Sequence, residues 1–175
     1  MKIVSIFADK LFSIHYDNES QNELTRLIEL WGNADEIHNF LASNVNDIGG
    51  IDKIEPLQDE LLNNRKTLIE ILYKIGTNKI DINLFFKQLN NNEYQLNVLL
   101  SKRKGRVNYL RIYALKIDEN CFLVTGGAIK FTKLMQDRPH TLKELFKIEK
   151  CRTFLMQNDV TDVDSLYEFL NEDEQ

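Results

Sequence analysis

Tyr109, Arg111 and Tyr113 stand at alternate positions, the period of one face of a β-strand, and so place an arginine between two phenols. Lys102, Arg103, Lys104 and Arg106 come just before them, and Lys130 and Lys133 follow within one further strand length. Cations beside aromatic rings are what single-stranded RNA binding asks for, because guanidinium and ammonium groups meet phosphates while rings stack on bases. The same residues allow a plainer reading. Tyr109 and Tyr113 would then pack beneath helices from the N-terminal half, and Lys102 to Arg106 would only keep a hairpin tip soluble.

The distribution of charge favours a polyanion. The chain of 175 residues carries a net charge of −5, yet residues 101 to 138 hold nine basic residues against three acidic ones, a local balance of +6. The rest of the chain then has thirteen basic and twenty-four acidic residues, a balance of −11. Local potential rather than total charge governs docking, so this asymmetry bears directly on partners.

Several chemistries lose their usual support. Cys121 and Cys151 lie far apart with no CxxC pairing, and His15, His38 and His140 are scattered singly, so neither a disulfide framework nor a metal site is indicated, and no cofactor is implied. There is no GxxxxGK[ST] or GxSxG pattern for nucleotide hydrolysis or acyl transfer. Gly126-Gly127, at the end of a predicted strand, suits either a β-bulge or a close approach of phosphate to the backbone.

The elements that must position these residues are legible from periodicity. Lys2 to Phe7 and Leu11 to Tyr16 read as two strands, and Ser20-Gln-Asn-Glu23 as a capping box opening a helix with Leu24, Leu27, Ile28 and Trp31 on its apolar face. A second helix carries Ile37, Phe40 and Leu41 to about Ser43, and a long one starts near Pro56 and ends near Gly76. Tyr94 to Ser101 alternates like a strand, Lys102 to Val107 reads as a basic connection, and strands are expected over 109 to 117 and 121 to 127. Thr141-Leu-Lys-Glu144 offers another capping box for a helix reaching about Gln157, before a short acidic C-terminal helix. The expectation is a single α+β domain over 1–175: an N-terminal hairpin and helices (1–83), an antiparallel sheet with its following helix (84–157) and an acidic end (158–175). With no apolar run of membrane-spanning length and a strand pattern directly after Met1-Lys2, a cytoplasmic protein with no membrane partner is expected.

The run Tyr109-Leu-Arg111-Ile-Tyr113, then Cys121-Phe-Leu-Val-Thr-Gly-Gly-Ala-Ile-Lys130-Phe-Thr132-Lys133, then Pro139 and a helix with Glu144, Lys150 and Arg152, resembles the phage-type HigB branch of the RelE/ParE toxins. The resemblance covers about residues 84 to 157. It implies a sheet backed by N-terminal helices, and a toxin of a type II toxin-antitoxin pair that cleaves messenger RNA on the ribosome. A cognate antitoxin, of helix-turn-helix type in some pairs, would neutralise it. Arg111, Lys130, Thr132 and the Arg152 region match the family pattern, whereas its histidine falls on Gly126 and one of its paired lysines on Phe131.

Metal-independent RNA cleavage needs the 2′-hydroxyl deprotonated, the phosphorane charge stabilised and the 5′-oxygen protonated. On this reading Arg111 and Lys130 stabilise charge, helped by Arg103, Lys104 or Arg106. Tyr109, Tyr113 or a lysine of lowered pKa moves protons. A non-catalytic RNA- or protein-binding module of the same fold is the alternative.

Overall fold

A six-stranded mixed sheet separates two apolar layers in the computed structural model, which describes residues 1–89 and 100–173. In chain order the elements are β1 (Lys2–Phe7), β2 (Leu11–His15), α1 (Glu23–Leu30), α2 (Ala34–Ser43), α3 (Val45–Ile48), a 3₁₀ turn (Ile51–Lys53) and α4 (Ile54–Gly76). Then come α5 (Ile82–Phe85), β3 (Lys87–Gln88), β4 (Ser101–Val107), β5 (Leu110–Asp118), β6 (Cys121–Ile129), a second 3₁₀ turn (Met135–Asp137), α6 (Pro139–Gln157) and α7 (Val163–Asp173). The expected strand over Tyr94 to Ser101 lies, but for Leu100 and Ser101, outside the described residues.

The sheet runs β1-β2-β6-β5-β4-β3. β4, β5 and β6 form the expected antiparallel meander, but its first strand is the segment read as a basic connection: Ser101 to Val107 pair with Lys116 to Leu110. Alternation of charge hid that strand, because its cations sit on both faces and leave no apolar stripe. The N-terminal hairpin joins the same sheet by a parallel pairing of Leu11–Ser13 with Phe122–Val124.

Leu24, Leu27 and Trp31 of α1, Ile37 and Leu41 of α2, and Leu61, Leu68 and Ile75 of α4 pack on one face of the sheet, against Leu110, Ile112, Ala114, Phe122 and Val124. Trp31 is 2% exposed, and burial of each such side chain is worth about 1.5–3 kcal/mol. On the other face Tyr113, Leu115, Ile117, Leu123 and Cys121 lie with Ile148, Cys151 and Leu155 of α6 and Leu166 of α7. The face of β5 opposite Leu110 and Ile112 is therefore covered along most of its length, where a wet face was expected.

Local signals placed the helices well and their caps less well. α1 is capped by Asn22, whose side chain accepts from the Thr25 amide, so the box expected at Ser20 is absent. Glu23 instead turns inward. α6 is capped at Arg138 and starts at Pro139, with its cap three residues before the expected one, and Thr141 is buried and donates to the carbonyls of Met135 and Arg138. Gly105 has a steric role, because a Cβ there would stand 2.2 Å from the Phe85 ring that lies across β4.

Candidate anion-binding site

In the antiparallel ladder, residues directly opposite project to the same face. Lys102, Lys104 and Arg106 stand opposite Leu115, Tyr113 and Arg111, so all three share the α6 face of the sheet with Tyr113 and Arg111. Arg103 alternates to the other face, where its guanidinium donates to the Ser101 hydroxyl at 2.9 and 3.1 Å. Arg103 is thus separated from the other expected cations.

Lys130 and Lys133 reach the same place from the segment after β6, so that Lys104, Arg111, Tyr113, Lys130 and Lys133 line one small cavity of about 50 Å³. Leu134 and Met135 close its side. The Lys130 ammonium donates to the Lys133 carbonyl at 2.7 Å, a bond that holds the loop and leaves two of its three protons for other acceptors. Arg111 donates to the carbonyls of Leu110 and Asn108 through Nη1 alone. Lys102 is committed elsewhere, in an ion pair with Glu149 of α6.

No carboxylate is among the described residues that line the cavity, although Asp137 offsets part of the charge at Lys130. Arg106 lies straight across the ladder from Arg111, a like-charge pairing that strands ordinarily avoid. Burial, and then the nearby charge of Arg106, hold the Arg111 guanidinium below its usual pKa. Burial, followed by Arg111 and Lys104, lowers the Lys130 ammonium in the same way. Each shift is smaller if an anion sits between the cations.

Tyr113 completes the arrangement. Its side chain is 1% exposed, lines the cavity and has a hydroxyl that finds no hydrogen-bond partner among the described residues. A buried hydroxyl without a partner costs about 1–3 kcal/mol, so it is an acceptor-seeking group aimed among cations. Burial raises its pKa, which makes Tyr113 a proton donor and not a base. Tyr109 is not part of this site. It sits in the β4–β5 turn region and its ring packs on Phe131, centroids 4.8 Å apart, on the helix-covered side of the sheet. Of the expected residues, Arg111, Tyr113, Lys130, Lys104 and Lys133 converge, Arg106 flanks them, and Tyr109, Arg103 and Lys102 do not take part.

A bulge, one of two expectations for Gly126-Gly127, lies just before the pair, while both glycines are in register opposite Tyr113 and Ile112. The register of β5 on β6 shifts between Tyr113 and Ala114, which face Gly126 and Val124, so Thr125 is the extra residue. Glu144 of α6 occupies the space beside Gly126, where a Cβ would fall 1.8 Å from Glu144 Oε2 and 3.1 Å from Lys147 Nζ. Sequence reasoning missed this cluster. Glu23 and Glu144 were each read as the closing residue of a capping box and Lys147 was not singled out, although Glu23 is 1% exposed and pairs with both Arg26 and Lys147. A Gly126→Ala substitution must move the carboxylate, and urea unfolding should show a loss of about 1–3 kcal/mol, the usual cost of overpacking. An unchanged midpoint would mean that Glu144 rotates away freely.

The two thiols are inert to exchange at neutral pH: burial pushes Cys121 up to about 12 and Cys151 up to about 11. Among the described residues no group of three or more His, Cys, Asp or Glu is placed to hold a metal ion, and no helix is long and apolar enough to cross a membrane. No family model, no curated protein and no solved structure matches the chain.

Proposed function

We propose that this chain binds RNA by seating a backbone phosphate in the Lys104–Arg111–Lys130 cavity, and that it acts there as a metal-independent endoribonuclease of the RelE/HigB toxin kind. The observation that carries the reading is the Tyr113 hydroxyl, buried and without a partner among the described residues, beside cations that repel one another. A phosphate answers both wants: its charge relieves the repulsion and its oxygens accept from the hydroxyl.

The cleavage chemistry follows from the same groups. Lys130, lowered by burial and by Arg111 and Lys104, carries a larger neutral fraction than an ordinary lysine and takes the proton of the 2′-hydroxyl. The 2′-oxygen attacks the phosphorus, and Arg111 with Lys104 stabilises the phosphorane that forms. Tyr113 gives its proton to the departing 5′-oxygen, and the products are a 2′,3′-cyclic phosphate and a 5′-hydroxyl. The ribosome would present the messenger, and an antitoxin of opposite charge would cover the basic strip.

One observation favours a binding module without catalysis. The position matching the family's histidine is Gly126, and the volume a side chain would need there is taken by Glu144. The two readings share the phosphate site and separate on cutting.

Binding is tested by anisotropy of a short labelled RNA across a salt series. Affinity should fall steeply with salt, because each phosphate contact releases counterions. Reversing Lys104 and Arg106 together to glutamate should weaken binding at least about tenfold and flatten the salt slope, while the same reversal at the exposed helix residues Lys66 and Lys74 changes it little. Salt-insensitive binding, or equal loss from both pairs, would remove the cavity from the account.

A further inference from the structure

A second cleft lies on the opposite edge of β6, away from β5. Leu27 and Trp31 of α1, with Ile37 and Phe40 of α2, form an apolar wall around about 290 Å³, at the lower end of the ~300–1,000 Å³ usual for small-molecule sites. β2 pairs with Phe122 to Val124, so among the described residues no strand covers this edge from Gly127 onward.

The backbone groups that face the cleft follow from the register. Lys130 N donates to Tyr109 O at 2.9 Å, so Lys130, and by alternation Ala128, direct their backbone groups toward β5. Gly127 and Ile129 direct theirs the other way, into the cleft. Two residues of α6, one turn apart, face the outer pair of these four groups. The Glu144 carboxylate stands beside the Gly127 amide, which helps to hold its charge, and His140 Nε2 donates to the Ile129 carbonyl at 3.0 Å. The inner pair, the Gly127 carbonyl and the Ile129 amide, has no partner among the described residues. Buried backbone groups are nearly always paired, so an acceptor and a donor side by side on an apolar floor describe what is missing.

We propose that this cleft binds a flat heteroaromatic molecule that presents an amino donor next to a ring-nitrogen acceptor, the edge an adenine-type base carries. The amino group would donate to the Gly127 carbonyl and the ring nitrogen would accept from the Ile129 amide, with the ring held between the α1–α2 wall and His140. An extended peptide asks for more, since strand addition needs a run of free ladder groups. Here α6 already covers the flanking two, His140 by a hydrogen bond and Glu144 by its charge. The site shares no cleft-lining residue with the basic cavity, so it stands or falls independently of RNA binding.

Trp31 is the single tryptophan and lines the cleft, which makes its fluorescence a direct reporter. Titration of the full chain with adenosine should quench it saturably, with a dissociation constant of about 1 mM or tighter. The Ile129 amide should move downfield along the same curve in ¹⁵N–¹H spectra. Inosine, whose ring N–H and carbonyl reverse the donor–acceptor order, should bind at least about tenfold more weakly. Failure to saturate by about 10 mM adenosine, equal binding of inosine, or an unmoved Ile129 amide each overturns the proposal. So does an acetylated tetra-alanine amide that shifts the same resonance more tightly than adenosine, which would assign the edge to strand addition.

Discussion

Expression of the wild-type chain should arrest growth and translation, and Arg111→Ala or Lys130→Ala should relieve the arrest while leaving the protein folded. Loss of the charge-stabilising Arg111 contact in the transition state costs about 2.7–4 kcal/mol, or roughly 10²–10³ in the rate of messenger cleavage on ribosomes, and loss of the Lys130 base costs roughly 10²–10⁴. Stability should move far less. Arg111 is half-buried opposite Arg106, and its lowered pKa means that the folded protein already disfavours its charge, so alanine removes a repulsion along with two backbone hydrogen bonds. Urea unfolding should therefore report a change within about 1 kcal/mol. Tyr113→Phe is the informative companion, because it deletes the unpartnered hydroxyl and keeps the ring in the core. It should slow cutting while stabilising the fold slightly. Wild-type expression without arrest, and without ribosome-dependent cuts, would leave the binding module as the reading of the cavity.

The parts of this arrangement that were legible in the sequence are those governed by local periodicity. Leu24, Leu27 and Trp31 announce α1 at helical spacing, and Leu110, Ile112 and Ala114 announce one face of β5; all are buried as expected. Arg111 and Lys130 were recognisable as neighbours because a tight turn after Asp118 forces β5 and β6 into antiparallel register, which brings residues nineteen positions apart to adjacent strand ends. What periodicity could not supply is which face a second layer covers. Tyr109 and Tyr113 were expected on one face, exposed in one reading and packed beneath N-terminal helices in the other, but Asn108 takes a left-handed conformation at the turn and leaves Tyr109 outside β5 against the N-terminal helix layer, while α6 and α7 close over Tyr113. The same closure created the cluster at Gly126. A glutamate at the third position after a threonine looks like a cap from the sequence, and only the packing of α6 on the bulge turns Glu144 inward.

That inward turn leads to the second large effect, expected on removal of the one cation shared by two buried carboxylates. Lys147 pairs with Glu23, stands 3.3 Å from Glu144 Oε2 and lies over the Tyr16 ring at 5.1 Å. Burial pushes Glu23 up, but the hydrogen bonds from Arg26 and the charge of Lys147 outweigh it, and its pKa ends below the usual carboxylate value. Glu144 ends above it, because burial and the repulsion of Glu23 exceed the help from Lys147. Lys147→Met keeps the length and apolar stem of the side chain, so the loss should be electrostatic, and breaking a buried pair on one side costs about 3–5 kcal/mol. The pH dependence has a definite sign. A carboxyl whose folded pKa lies above its unfolded value stabilises fully below the unfolded value, and that contribution is lost as pH rises through the folded one. Without Lys147 the Glu144 carboxyl moves further in that direction, and the contribution of Glu23, present above its unfolded value and lost as pH falls, shrinks. Both changes make the deficit relative to wild type smallest below the ordinary carboxyl value of about 4.3 and largest at neutral pH and above. Adding Glu144→Gln to Lys147→Met should recover most of the loss, since the amide carries no charge to leave unpaired. A deficit that does not vary with pH, or that Glu144→Gln deepens, would mean that Lys147 holds α6 to the sheet by packing rather than by charge.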